Sequence, residues 1–438
     1  MALKSGAVVI GFTAPFGSGC STSAEILKNA LGYKVLLLSD VVRGVWSKEN
    51  AGKAPERSDL QSLGNRIRLD AKNPGEVARL AVEQLRKAEE NYERVAFDGI
   101  RNVGEVEFLR ETFGRTFFLI ALECPQSERY ERLSQHGIYQ NLEAFREDNE
   151  RDRDQEDPYG QQVELCVDAA DVLLINDGST TMPKLRSKVV EYVRVVTGET
   201  PRYPRSDEIL MNLAYSASHG SKCLKRQVGA ILVNADPLKM GEVVGNGFNE
   251  NPRGTAPCVE EPEYGAENAK SIPGRCYRDI VRHKSFEQLS KQGVHCPSCG
   301  VKLHPLHNQE PPWRCLSCKK NLESYFWPER AMSFCTAVHA EVAAILSAGT
   351  RANGSTLYTT TFPCFQCAEK LLQAGIKAVI FTEPYPDVRA AERFEIAKIK
   401  VDRFEGIRSG RFDEIFARAR PYVAAQRRAM AASAGKTN

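Results

Sequence analysis

The chain has 438 residues, enough for two or three domains with cores of their own. Its apolar content of 42% and charged content of 26% are those of an ordinary globular protein, and a formal net charge of +3 is too small to argue by itself for a nucleic-acid partner. No apolar run approaches the ~20 residues of a membrane span, and the first apolar stretch, Ala7-Val-Val-Ile10, is too short for a secretory leader, so a cytoplasmic protein without a membrane partner is expected.

Residues 1–195 read as an α/β domain. Ala7-Val-Val-Ile-Gly11 is a short buried strand, followed by Ala14-Pro-Phe-Gly17-Ser18-Gly19-Cys20-Ser21-Thr22 and a helix from Ser23. A strand, a Gly-rich loop and a helix form a P-loop layout, in which backbone amides and the helix N-terminus cradle phosphates. Two positions depart from G-x-x-x-x-G-K-[ST]: Ala14 stands at the first Gly and Cys20 at the Lys. Losing that Lys removes the charge that reaches the β- and γ-phosphates. ATP or GTP with Mg2+ could still use Ser21 or Thr22 together with Asp98, which ends the strand pattern Arg94-Val-Ala-Phe-Asp98 like a Walker B aspartate. Further strands are read at 35–38, 116–122 and 171–176. Their alternation with helices predicts a doubly wound parallel sheet. The domain resembles P-loop nucleoside and nucleotide kinases, and Arg151 and Arg153 stand where such kinases carry lid arginines. A solvated charged helix is the other reading of that run. Arg101, in Asp98-Gly-Ile-Arg101, reads either as a substrate-side arginine or as part of a turn. Regulation by a bound nucleotide, hydrolysis or phosphoryl transfer, and a purely structural role all remain open for this domain.

Residues 196–206, with two prolines and no apolar periodicity, read as a linker. The next domain is read as 207–405, with an insertion at about 253–333. The thirteen cysteines are many, and six of them fall in three C-x-x-C pairs, the usage of a zinc protein rather than of a disulfide scaffold. Two pairs lie in the insertion: Cys296-Pro-Ser-Cys299 and Cys315-Leu-Ser-Cys318. That spacing reads as a four-cysteine zinc ribbon, a closed structural site tying down a segment too polar to fold alone. His295, His304 and His307 read as surface residues. Cys258, Cys276 and His283 are left open between free side chains and a further metal site.

The third pair is Pro363-Cys364-Phe365-Gln366-Cys367, downstream of His339-Ala340-Glu341. One imidazole and two thiolates, His339, Cys364 and Cys367, fill three corners of a zinc tetrahedron and leave the fourth open to water. Both segments fall at predicted helix N-termini, where the dipole favours thiolates. Glu341 is not a ligand in this reading. It is the acid–base group beside an activated water, and H-x-E followed by P-C-x-x-C is the signature of zinc deaminases. The residues from 406 to 438 read as a helical C-terminal tail.

Three stretches carry a closer likeness. Ser216 to Val233, Gly245-Asn-Gly-Phe-Asn-Glu-Asn-Pro-Arg-Gly254 and Leu357 to Lys377 resemble deoxycytidylate deaminases over roughly 207–405. The resemblance implies a cytidine-deaminase-like α/β/α domain with Asn249 at the deoxyribose and phosphate end of the substrate, Ala340 and Tyr385 beside it, and, in some members, an additional structural zinc. Glu250 stands where that family usually has Gly, and Phe365 where it often has Asn. The joined architecture resembles the bacterial antiphage deoxycytidylate deaminases. That implies conversion of the deoxycytidine nucleotides dCTP and dCMP to dUTP and dUMP, a homo-oligomer such as a hexamer, and an inhibitory RNA antitoxin. A tRNA-type editing deaminase, a housekeeping dCMP deaminase and a nucleotide-sensing assembly protein are the competing readings.

Overall fold

Continuous apolar runs rather than alternating ones mark strands buried on both faces. The structure, a computed structural model, bears this out for the first unit. It describes residues 3–50, 53–87, 91–153, 157–234, 241–258, 276, 293, 295–303, 315, 317–318, 320, 322, 335–384 and 388–417. In chain order the first elements are β1 (Leu3–Thr13), α1 (Cys20–Leu31), β2 (Lys34–Leu37), α2 (Leu38–Glu49), α3 (Arg57–Asp70), α4 (Glu76–Lys87), β3 (Tyr92–Asp98) and α5 (Val103–Phe113). Then come β4 (Phe117–Glu123), α6 (Gln126–Gln135), α7 (Leu142–Arg153), α8 (Val163–Asp168), β5 (Val172–Ile175), α9 (Met182–Val196) and α10 (Ser206–Ser218).

β1 lies at the sheet's centre, with Val9 opposite Val95 of β3 on one side and Phe117 of β4 on the other. β2, β3, β1, β4 and β5 are all parallel. One face packs Val41, Val77, Val82, Val106 and Leu109 from α2, α4 and α5. The other packs Leu27 of α1 and Val189, Tyr192 and Val193 of α9. Helices on both faces make the sheet doubly wound.

The sheet has a sixth strand that sequence reading placed in the tail. After β6 (Gly229–Val233), β7 (Val243–Phe248), α11 (Ala340–Ala348), β8 (Thr356–Thr361), α12 (Phe365–Gln373), β9 (Ala378–Glu383), α13 (Val388–Ile396) and β10 (Lys400–Arg403), the chain forms β11 (Gly406–Ile407). β11 adds antiparallel to β5, with Ile407 opposite Val172. Glu405 accepts from the Ile175 amide at 2.9 Å and from Lys188 at 2.6 Å. Ile415 and Phe416, in the helical stretch that follows, are buried against α9. Residues Met1–Asn212 and the described residues from Arg403 therefore form one compact unit, and Leu213–Asp402 forms the other. This differs from the sequence-read bounds of 207, 405 and 406. A two-residue strand is too short to carry periodicity, so nothing local announces that the chain returns.

In the second unit the strand order is β10-β9-β8-β6-β7. β6 runs antiparallel to β7 and β8, and β8 runs parallel to β9. α11 lies directly on β7. A Cβ at Gly247 would come within 2.4 Å of the Ala344 amide, so only glycine admits this approach.

Candidate active site and metal centres

Two helix starts meet at one point of the second unit. His339 caps the N-terminus of α11 in an extended conformation, and Cys364 does the same for α12. A two-residue bridge fixes the approach to α11: Glu250 and Val338 exchange backbone hydrogen bonds of 3.1 and 2.7 Å. The His339 Nδ1 atom lies 3.5 Å from Cys364 Sγ and 3.2 Å from Cys367 Sγ. A tetrahedral zinc with ordinary Zn–S and Zn–N bonds sets that edge at about 3.5 Å, so the three donors fit the ion. Among the described residues the cluster has three donors, which leaves a fourth corner for water or substrate.

Glu341, in the first turn of α11, is 4% exposed and accepts from Cys367 Sγ at 3.4 Å. Burial pushes its carboxyl above the ordinary carboxylate range. Hydrogen bonding from Cys367, reinforced by His339, brings the Cys364 thiol down to about 4, while its partner Cys367 is pushed up. A dication between the two sulfurs would favour both thiolates. Ala340, at the first position of α11, is fully buried. Asn249 follows β7, but its side chain is committed locally: Oδ1 accepts from the Val228 amide at 2.7 Å and Nδ2 donates to the Arg226 carbonyl at 2.9 Å. It pins the loop before β6. Tyr385, His283, His304 and His307 lie outside the described residues.

The insertion supplies a second cluster. Cys296 and Cys318 sulfurs are 3.7 Å apart, and Cys299 and Cys315 sulfurs 3.6 Å, against about 3.8 Å for the edge of a zinc–thiolate tetrahedron. Each pair sits on a tight turn, closed by hydrogen bonds from Gly300 N to Cys296 O at 2.9 Å and from Cys315 N to Lys320 O at 2.9 Å. Backbone hydrogen bonding from Cys318 lowers the Cys315 thiol to about 6. Cys258 and Cys276 join no metal-ligating cluster among the described residues.

In the first unit, Gly17, Ser18, Gly19, Cys20, Ser21 and Thr22 line a cavity of about 1060 Å³. Gly19 caps α1 with a left-handed φ of 105°, and the Asn176 amide donates to the Ser18 carbonyl at 2.7 Å. Ser21 donates to Asp98 at 2.7 Å, while the other Asp98 oxygen is buried without a hydrogen-bond partner. Burial raises the Asp98 carboxyl. The sequence-read lid arginines are not part of the lining: Arg151 approaches Asp148 at 3.7 Å and Arg153 bonds Glu164 at 2.8 Å. The cavity's cations are instead Arg43, Arg57, Arg68, Arg101 and Arg132. Arg57 was missed, and no local motif marks it. Arg101 was legible only as one of two readings.

Residues 204–383 match the family described as "Cytidine and deoxycytidylate deaminase zinc-binding region", and residues 10–175 match an AAA domain. The chain joins an AAA-type P-loop domain to a cytidine and deoxycytidylate deaminase domain. The deaminase likeness extends to a deoxycytidylate deaminase of Schizosaccharomyces pombe, 25% identical over 71% of this chain and 77% of that one. Over 42% of its length the chain is 33% identical to a UPF0200 protein of Saccharolobus solfataricus, of which it covers 91%. Through that stretch it belongs to the UPF0200 family. An Archaeoglobus fulgidus UPF0200/UPF0201 protein is 34% identical over 39% of the chain, which spans 51% of that protein's length. Among solved structures, the dCMP deaminase of cyanophage S-TIM5 in complex with dCMP and dUMP is 18% identical, covering 46% of this chain and 99% of that one, with a TM-score of 0.26. A gluconokinase from Sinorhizobium meliloti is 14% identical, covering 45% and 94%, with a TM-score of 0.28.

Proposed function

We propose that the chain is a zinc-dependent hydrolytic deaminase of free deoxycytidine nucleotides, dCTP and dCMP, converting them to dUTP and dUMP. The observation that carries this reading is the placement of Glu341 beside the cluster of His339, Cys364 and Cys367. These three residues would hold the ion. When bound, zinc lowers the pKa of water toward neutrality and so supplies a nucleophile at physiological pH. Glu341 would take one proton of that water and pass it to the ring nitrogen, then take the proton left on the attacking oxygen and give it to the amine, which leaves as ammonia as the carbonyl forms. Burial raises the Glu341 carboxyl, which suits a group that must both take and return a proton. Cys296, Cys299, Cys315 and Cys318 would hold a structural zinc and take no part in the chemistry.

The P-loop domain is regulatory in this proposal, binding ATP or GTP with Mg2+ at Ser21 and Asp98. The likeness to antiphage deaminases, stated from the sequence, extends the proposal to depletion of the dCTP pool during infection by a homo-oligomer held inactive by an RNA antitoxin.

The test is a deamination assay on the full chain, offering dCTP, dCMP, CTP, deoxycytidine and single-stranded oligonucleotide, with ATP or GTP added or withheld. Uracil deoxynucleotides from dCTP or dCMP, absent in a Glu341→Ala variant, are expected. Conversion within the oligonucleotide alone would sink the free-nucleotide reading in favour of an editing deaminase.

A further inference from the structure

A P-loop without its lysine must find charge for the phosphates elsewhere, and the first unit offers a specific source. The segment after β3 is tied to the start of the P-loop. The Ile100 amide donates to the Phe12 carbonyl at 3.0 Å, and Thr13 Oγ1 donates to the Ile100 carbonyl at 2.9 Å. Phe12 and Thr13 lead directly into Ala14, the first loop residue. Arg101 therefore follows a residue clamped to the loop's root, and its backbone amide is fixed again by Glu105 at 2.9 Å. Its side chain enters the cavity that Cys20 and Asp98 also line. Burial and the Asp98 charge push the Cys20 thiol up, and the guanidinium of Arg101 opposes them, which places the cation within electrostatic reach of the lysine's usual position.

Arg101 does not stand alone. Asp152, with a side chain 2% exposed, accepts from Arg101, from Arg57 at 2.8 Å and from Gln61 at 2.8 Å. One carboxylate thus binds two guanidinium groups, while Asp98 also acts on Arg101 and Asp148 on Arg57. Arg57 is also stacked at 3.9 Å over the ring of Phe16, a loop residue, which fixes its reach. Two buried polar atoms of this group, Arg57 Nε and Gln61 Oε1, have no hydrogen-bond partner. A cavity lined by Arg57, with one donor left unused, by Arg101 and by the N-terminus of α1 offers an anion donors from all three.

We propose that Arg101, braced with Arg57 on Asp152, replaces the missing P-loop lysine and receives the terminal phosphates of a nucleoside triphosphate seated on α1. The inference rests on the reading of this unit as a nucleotide-binding domain and names the residues that make a lysine-free loop competent. Asp152 is a positioning residue. It holds both guanidinium groups toward the cavity and is itself acidic, so it touches no phosphate.

Titration calorimetry on the full chain with ATP or GTP and Mg2+ tests it. Wild type should bind one of the two, and Arg101→Ala should weaken that binding by about ten- to a hundredfold, the worth of a charge-assisted hydrogen bond. Arg66→Ala, which removes an equal charge from a surface pair with Glu49, should bind like wild type. The decisive variant is Cys20→Lys in the Arg101→Ala background, which should recover most of the loss, with melting temperatures recorded to show that each variant folds. Arg101→Ala binding as tightly as wild type overturns the inference and leaves the nucleotide-binding reading standing. Loss without recovery in the double variant overturns the replacement of the lysine. Wild type that binds neither triphosphate overturns both.

Discussion

The Cys367 thiol lies 3.4 Å from the Glu341 carboxylate, so the group that would move protons touches the cluster that would hold the metal. The two roles are separable. Glu341→Gln keeps the shape and leaves all three donors, so its zinc content should match wild type while deamination falls by about 10²- to 10⁴-fold, the usual worth of general acid–base catalysis. Cys364→Ala should lose both the zinc of this cluster and turnover. Metal analysis beside an ammonia-release assay distinguishes them. A Glu341→Gln variant with wild-type turnover, or a Cys364→Ala variant with full zinc, would sink the assignment.

The four-cysteine cluster predicts the opposite pattern. Its four sulfurs all lie within 4.8 Å of one another, two of the edges being 3.6 and 3.7 Å, and no acid–base group is among its members. Cys296→Ser should release one zinc per chain and lower the melting temperature, with residual deamination in the protein that remains folded. Unchanged zinc content would count against the site.

Much of this was legible in the sequence because the signals are local. H-x-E and P-C-x-x-C fix residue types within a few positions, and helix starts put those residues where the sequence implies. The parallel strands were legible because burial on both faces writes a continuous apolar run. What was not legible depends on distant partners. β11 pairs with β5 across the length of the second unit, and the bond from Ile175 to Glu405, 230 residues on, has no counterpart in local pattern. Arg57 reaches the cavity only because α3 folds against Asp152 of α7, 95 residues away. Arg151 and Arg153 were read as lid arginines from their order in the chain, and that order does not announce their ion pairs with Asp148 and Glu164. Asn249 was read by likeness as a substrate contact, and local pattern gave no sign that its amide also closes the loop before β6.

Gly247 offers a test of how the active site is held. An alanine there would place its Cβ 2.4 Å from the Ala344 amide and 2.5 Å from the Ala340 carbonyl, both backbone atoms that cannot rotate away. α11 must then lift from β7, and His339 and Glu341 ride on that helix. Overpacking of this kind costs about 1–3 kcal/mol, so Gly247→Ala should melt several degrees lower and hold less zinc at the catalytic cluster while keeping the ribbon zinc. Wild-type stability together with full metal content would show that the contact is not tight.

Asp98 should behave as a group kept for function at the expense of stability. Burial raises its carboxyl, and the Ser21 hydrogen bond and Arg101 only partly oppose that. A carboxyl whose folded pKa exceeds its unfolded value, about 4, is disfavoured in the folded protein once ionised. Its contribution therefore opposes folding at neutral pH and fades as pH falls through the folded value toward the unfolded one. Asp98→Asn removes the charge and keeps the shape. The ligand-free variant should melt higher than wild type at pH 7, and the gap should close as the pH is lowered toward 4. With Mg2+ and ATP or GTP present the order should reverse, because the variant loses the carboxylate that would hold the cation and with it the ligand's stabilisation of the folded state. Thermal melts of both proteins across that pH range, with and without nucleotide, read both effects. A variant less stable at pH 7 that still gains the wild-type shift from nucleotide would remove Asp98 from the site.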